Sequence, residues 1–275
     1  MSWFEAVVLG LVQGLTEFLP ISSTAHLRIV ALLAGWDDPG ATFTAVTQIG
    51  TEAAVLIYFR HTILRVLRQW AHSLVRPELR GDPDARMGWY VIVGTIPIGI
   101  FGIVLQAFIR DNFRNLTLVA LTLIGFGLVL GFADRLAKQT KKLDVLNLRD
   151  AILYGLAQSL ALIPGVSRSG GTISAGLLLG YTREAAARYA FLLAIPAVLA
   201  SGFYELRLIG DDGAPAWGPT MVAAAIAFGM GYAVIAWFLR FIHTRSFLPF
   251  VLYRVALGAA LLGLIAAGVI DPASA

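Results

Sequence analysis

Apolar runs long enough to cross about 30 Å of hydrocarbon, roughly 17 to 25 residues each, recur near 42–60, 88–108, 116–133, 187–206, 218–239 and 247–269. Each predicts a membrane-crossing helix, six in all. Two further apolar regions break this pattern. Residues 1–35 and 150–182 are interrupted midway by proline, serine and glycine, which leaves arms of about a dozen residues, too short to cross. Each is expected to fold as a re-entrant helical hairpin, tolerated at membrane depth only where protein or a wet cavity covers its irregular tip.

The two interrupted regions echo each other. Gly10, Gln13, Leu15, Pro20 and Ser23 of the first recur as Gly155, Gln158, Leu160, Pro164 and Ser167 of the second, with a one-residue gap before the proline. The chain therefore reads as one integral membrane domain of two related halves, 1–149 and 150–275, each a hairpin (1–35, 150–182) followed by three spans. Lysine and arginine cluster in 60–86 (Arg60, Arg65, Arg68, Arg76, Arg80, Arg86), in 134–149 and in 240–246, whereas the opposite loops hold Arg110, Arg114 and Arg207, the last beside Asp211 and Asp212. The positive-inside rule makes the first set cytoplasmic. An odd number of spans then inverts the second half relative to the first, an all-α inverted-topology repeat. Such repeats hold their sites near the midplane, where broken helices meet. The two tips are expected to face each other.

Composition agrees with a polytopic membrane protein. Of 275 residues 58% are hydrophobic and 14% charged, and the mean hydropathy is +0.77, whereas soluble domains carry about 25% charge. The absence of cysteine excludes disulfides and thiolate metal sites. The net charge of +4 reads as topology charge, with no nucleic-acid partner. Glu5 stands where a cleaved leader carries positive charge, so the N-terminus reads as structure.

The tips carry the chemistry. Gln13 and Glu17 share one helical face. Beyond Pro20, the run Ser22, Ser23, Thr24 supplies hydroxyls and an N-cap, and Ser23 and His26 lie three apart on the next helix. In the second tip Arg168 sits among Ser167, Ser169, Gly170, Gly171 and Thr172. Small residues let backbone amides approach a ligand, helix N-termini favour anions, and guanidinium matches phosphate oxygens. The set suits a phosphorylated substrate, and Glu17 suits a divalent cation bridging its oxygens. Glu52 and Gln48 share a face of the first span and could reach the same cavity. Arg254, inside the last span, reads as a snorkelling or paired residue rather than a catalytic one.

QGLTEFLPISSTAH (Gln13–His26) and PGVSRSGGT (Pro164–Thr172), with the late Arg245, Ser246, Phe247, Leu248, Pro249, Phe250, Tyr253 and Arg254, make the chain resemble the undecaprenyl pyrophosphate phosphatases of the UppP (BacA) type. The resemblance covers nearly the whole chain. It implies hydrolysis of undecaprenyl pyrophosphate to undecaprenyl phosphate and phosphate, which recycles the lipid carrier for cell-wall synthesis and confers bacitracin resistance. It also implies the bacterial inner membrane, a site facing the periplasmic side, magnesium or calcium as cofactor, and Glu17, Ser23, His26 and Arg168 as catalytic residues. Substrate contacts would come from Gln13, Ser22, Thr24, Ser167, Ser169, Gly170, Gly171 and Thr172, and metal contacts from Glu17 with Gln13 and Glu52 as candidates. Many members carry glutamate where this chain has Gln13, which leaves Glu17 as the one carboxylate of that motif. Covalent attack by Ser23 and direct attack by water both stay open, as does a homodimer. A polyprenyl-phosphate flippase is the main alternative, since inverted repeats are also transporter architecture. The unrelated type-2 phosphatidic-acid phosphatases are disfavoured because their motifs are missing.

Overall fold

The computed structural model describes residues 1–105, 108–109, 115–207 and 216–272, without the side chains of 206 and 207. Among the described residues the chain forms eleven α-helices. They are α1 (Trp3–Thr16), α2 (Ser23–Ala34), α3 (Gly40–Tyr58), α4 (Arg60–Val75), α5 (Pro83–Val104), α6 (Leu116–Leu136), α7 (Leu148–Ser159), α8 (Arg168–Leu178), α9 (Arg183–Arg207), α10 (Trp217–Thr244) and α11 (Leu248–Ala266). No strand occurs among these residues, only a bridge between Lys141 and Tyr181.

Each of the six expected spans coincides with a helix. Five of these, α5, α6, α9, α10 and α11, are long and apolar enough to cross a membrane. Helix α3 has the length, 19 residues, but Gln48 and Glu52 with four threonines lower its apolar content. Arg110, Arg114, Asp211 and Asp212, with residues 106 and 107 of the span expected at 88–108, lie outside the described residues, as does the side chain of Arg207. The stretch 60–86, expected as a loop, instead holds α4, a 3-10 turn at Pro77–Gly81 and the start of α5. Arginines at 60, 65 and 68 interrupt its apolar run, while its 3.6-residue period still builds an amphipathic helix.

Helices α1 and α2 form one hairpin, α7 and α8 the other. Their backbones correct the expected alignment. Ser22 (φ 74°) and Ser167 (φ 70°) both turn the chain through the left-handed region into the second arm, and Gly35 (φ 67°) and Gly180 (φ 91°) both end that arm. Each pair, like Gly10 with Gly155 and Gln13 with Gln158, is 145 residues apart, so the repeat is gapless. The counterpart of Ser167 is Ser22, not Ser23, and Ser23 occupies the place of Arg168. The conserved step in the fold is the positive φ at the serine, a conformation costing on the order of 1–3 kcal/mol outside glycine. The prolines stand one position out of register.

The halves interlock. Helix α1 packs on α10 and α7 on α5, so each hairpin lies against a helix of the other half. A Cβ on Gly10 would come 2.6 Å from the Ala223 carbonyl oxygen, and one on Gly155 would come 2.2 Å from that of Gly94. Equivalent glycines thus bring both helix pairs into backbone contact. Helices α6 and α11 also pack together, and the tips meet against this pair.

Candidate active site

Glu17 is the hub. It ends α1, and its buried carboxylate gathers three donors from both tips. Gln13 Nε2 donates to Oε2 at 2.9 Å along one face of α1, Ser23 Oγ donates to the same oxygen at 2.6 Å, and Arg168 Nη2 donates to Oε1 as an ion pair from the other hairpin. The tips also touch through Ser169, whose Oγ donates to the Leu19 carbonyl at 3.0 Å and lies 3.1 Å from Ser167 Oγ. Glu17, Ser23, Arg168, Ser169 and Gln13 are therefore brought together as the sequence led us to expect.

His26 is near this group but faces another way. Its Nδ1 lies 2.7 Å from the Ser22 carbonyl and its Nε2 2.7 Å from the Tyr253 hydroxyl, and the two rings stack at 5.5 Å. A carbonyl can only accept, so Nδ1 carries the hydrogen and, in the neutral ring, Nε2 accepts from Tyr253. The Ser23 hydroxyl bonds Glu17 and not His26. Ser22 starts α2 without capping it through its side chain, and Thr24, half-buried, makes no side-chain hydrogen bond among the described residues.

In the second tip two of the amides expected to approach a ligand are engaged within the tip itself. Gly170 N donates to Ser167 Oγ at 3.1 Å and Gly171 N to the Ser167 carbonyl at 2.9 Å. Thr172 Oγ1 turns back to the Arg168 carbonyl at 2.7 Å.

Arg254 does not snorkel. Its side chain, 0% exposed, reaches from α11 between the tips. Nη1 donates to the Pro20 carbonyl at 2.9 Å, Nη2 to those of Gly165 and Val166 at 2.8 and 3.1 Å, and Nε to that of Leu123 at 3.1 Å. It thereby satisfies carbonyls that the irregular tips leave without helical partners, which at this depth would otherwise cost several kcal/mol each. A Cβ at Gly170 would stand 2.9 Å from its Nη1, so that glycine admits the guanidinium. Thr122 Oγ1 adds a bond to the Pro164 carbonyl at 2.7 Å. An arginine in an otherwise apolar helix was the signal available for this role. Tyr253 carried no such signal.

The residues present fit a hard divalent cation. Glu52 is buried in α3, within electrostatic reach of Arg168 and Glu17. Its Oε1 and the Oε1 of Gln13 are both buried without a hydrogen-bond partner. Among the described residues no three His, Cys, Asp or Glu side chains cluster, so an ion here would draw on oxygens of two carboxylates and an amide and complete its shell from a ligand. The cavity beside Glu17, Arg168 and Ser169, walled by Phe18 and Phe191, measures about 10 Å³, room for about one water. The site is closed by its own ion pair.

Known proteins resemble the chain over nearly its whole length. The family model described as bacitracin resistance protein BacA matches residues 6–260. The chain is 64% identical to undecaprenyl-diphosphatase 2 of Frankia casuarinae, covering 99% of this chain and 98% of that protein. It is 60% identical to undecaprenyl-diphosphatase 2 of Streptomyces avermitilis, over 100% and 99%, and 58% identical to the undecaprenyl-diphosphatase of Micrococcus luteus, over 98% and 100%.

Proposed function

The chain belongs to the BacA family of bacitracin resistance proteins, and from that premise we propose that the joined hairpin tips are the centre at which it hydrolyses undecaprenyl diphosphate. The protein is a membrane-embedded undecaprenyl-diphosphatase. Its relatives carry that name over almost their full lengths, and a flippase is not favoured. The observation that carries the site is the convergence of Ser23, Gln13 and Arg168 on one carboxylate.

The mechanism follows from what each group already holds. The diphosphate draws Arg168 away from Glu17, exchanging one anionic partner for another, and the guanidinium then holds phosphate oxygens in its planar fork. Ser169 and the Ser167 hydroxyl lie beside it to bind the same group. Ser23 Oγ attacks the terminal phosphorus. Its proton passes to Glu17 Oε2, with which it already shares a 2.6 Å bond, the geometry of a nucleophile paired with its base. The bond from phosphorus to the bridging oxygen breaks, and undecaprenyl phosphate leaves with the electron pair. Water then hydrolyses the phosphoserine, with Glu17 returning as acid and base. His26, fixed by Ser22 and Tyr253, orders the start of α2 on which Ser23 stands. Glu17, Glu52 and Gln13 Oε1 would hold magnesium or calcium, which supplies neutralisation of the negative charge on the transferring group.

The topology is six spans with two re-entrant hairpins in an inverted repeat. Arginine-rich ends lie on the cytoplasmic side of the bacterial inner membrane, and the site opens to the periplasmic side. The gapless 145-residue register and the reciprocal packing of hairpins support this arrangement. The prenyl tail stays in lipid, so the chain needs few contacts to recognise it. The test is phosphate release from undecaprenyl diphosphate by purified protein in detergent, followed by acid quenching and peptide mass analysis for a phosphoryl group on Ser23. Release without any trapped adduct, even in a variant slowed in the water step, would replace Ser23 attack by direct attack of water.

A further inference from the structure

A second polar cavity lies beyond Phe59 and Phe191 from the tips, with Arg188 of its lining over the Phe59 ring at 5.9 Å. At the arginine-rich end of the molecule, the C-terminus of α3, the first turns of α9 and the last turns of α10 bound an open cleft of about 300 Å³. It is lined by Tyr58, Glu184, Arg188, Leu239, Arg240 and His243, the low end of the size range of small-molecule sites. Three of the six side chains are cationic or can become so, and one is acidic.

Glu184 holds two of these. It accepts from Arg188 Nε at 2.8 Å and lies 3.4 Å from His243 Nδ1. Arg188 uses only Nε in this pair, so its two terminal amino groups keep their donor capacity. Arg240 and the Tyr58 hydroxyl make no hydrogen bond or ion pair among the described residues. The cleft therefore presents an excess of donors over acceptors with net positive charge, the requirement for phosphate oxygens. Aromatic side chains accompany it along α10: Tyr58 of the lining packs edge-on against Tyr232 at 5.7 Å, and Trp237 stacks on Phe241 at 5.2 Å. Tyr232 and Trp237 are 39% and 50% exposed. Tyrosine and tryptophan concentrate at the level of lipid head groups, which favours a head group as the occupant of the cleft.

We propose that this cleft binds the phosphate of an anionic phospholipid head group, with Arg188, Arg240 and Tyr58 as donors and Glu184 as an internal competitor that gives way. Which leaflet supplies the lipid rests on the topology proposed above. The binding itself does not, and it is independent of the diphosphatase reaction.

Native mass spectrometry of the full chain, titrated in detergent with phosphatidylglycerol, phosphatidylcholine or inorganic phosphate, tests it. Phosphatidylglycerol is retained in preference to phosphatidylcholine, and Arg188→Gln with Arg240→Gln weakens that retention by about tenfold or more. Glu184→Gln strengthens it, a gain that a purely structural role for Glu184 would not produce. A Lys138→Gln, Lys142→Gln variant, which removes the same charge nearby, leaves it unchanged. Unaltered diphosphatase activity of each variant reports that it is folded. Equal retention of the two lipids, equal loss in the lysine variant, or weaker binding by Glu184→Gln overturns the proposal. Displacement of the lipid by millimolar inorganic phosphate overturns it too, in favour of a soluble phosphate site.

Discussion

Arg168 and Glu17, 151 residues apart in the chain, form an ion pair between the two hairpin tips. In the proposed mechanism neither hairpin alone contains a complete site, since one supplies the base and nucleophile and the other the guanidinium. Arg168→Ala lowers phosphate release by about 10²–10³-fold, the usual effect of losing a charged donor to a transition state. Arg168→Lys, a point charge without the planar fork, recovers only part of it. Equal activity of Arg168→Ala and wild type would remove the guanidinium from the mechanism.

Ser23→Ala abolishes turnover to a similar extent, whereas Ser22→Ala has the smaller effect. Although Ser22 is the serine of the repeat, its side chain makes no capping bond. Kinetic comparison of the two variants in one detergent preparation checks the assignment.

Tyr253→Phe separates the role of His26 from that of Ser23. The substitution removes the hydroxyl 2.7 Å from His26 Nε2 and keeps the ring stack. A modest loss of kcat, about tenfold or less, is expected with KM unchanged, while His26→Ala costs more because α2 also loses its tie to the Ser22 carbonyl.

Chelation is expected to abolish activity, and added magnesium or calcium to restore it. Glu52→Gln raises the concentration of cation needed for half-maximal rate, because one of two carboxylates is gone. A rate that survives exhaustive chelation would remove the cation from the reaction.

Arg254→Met is the most damaging change to stability. It leaves the tip carbonyls of Pro20, Gly165 and Val166 without their Arg254 donor at a fully buried position, a cost of about 1–3 kcal/mol for each that stays unsatisfied. Thermal unfolding in detergent should show it before any assay is run.

Much of this was legible in the residues. The six apolar runs coincide with helices, because hydrocarbon thickness imposes a length that sequence alone reveals. Glu17, Ser23 and Arg168 were legible for the opposite reason: polar groups at such depth need partners, and each tip held half of a complementary set. What was hidden depends on backbone geometry. The serine register was misread because the prolines, conspicuous in sequence, sit one place apart in the two tips, while the equivalence resides in positive φ at Ser22 and Ser167. Helix α4 was hidden because its arginines interrupt the run that a span requires. His26 was paired with Ser23 on spacing, yet three residues along a helix put side chains on one face without deciding which of several neighbours each will choose. Tyr253 is 227 residues from His26, a distance no local pattern bridges.

Arg254 also sets the order in which the enzyme can come into being. Both tips, with the base, the nucleophile and the guanidinium, have left the ribosome long before residue 254 is made. Until α11 enters the bilayer, the three tip carbonyls of Pro20, Gly165 and Val166 lack the donor that holds them. The nascent protein therefore carries every reacting group in place along its chain and still has no active centre. A chain cut just before its last helix should integrate into the membrane and remain inert, with its two loosened hairpins open to recognition by membrane proteases.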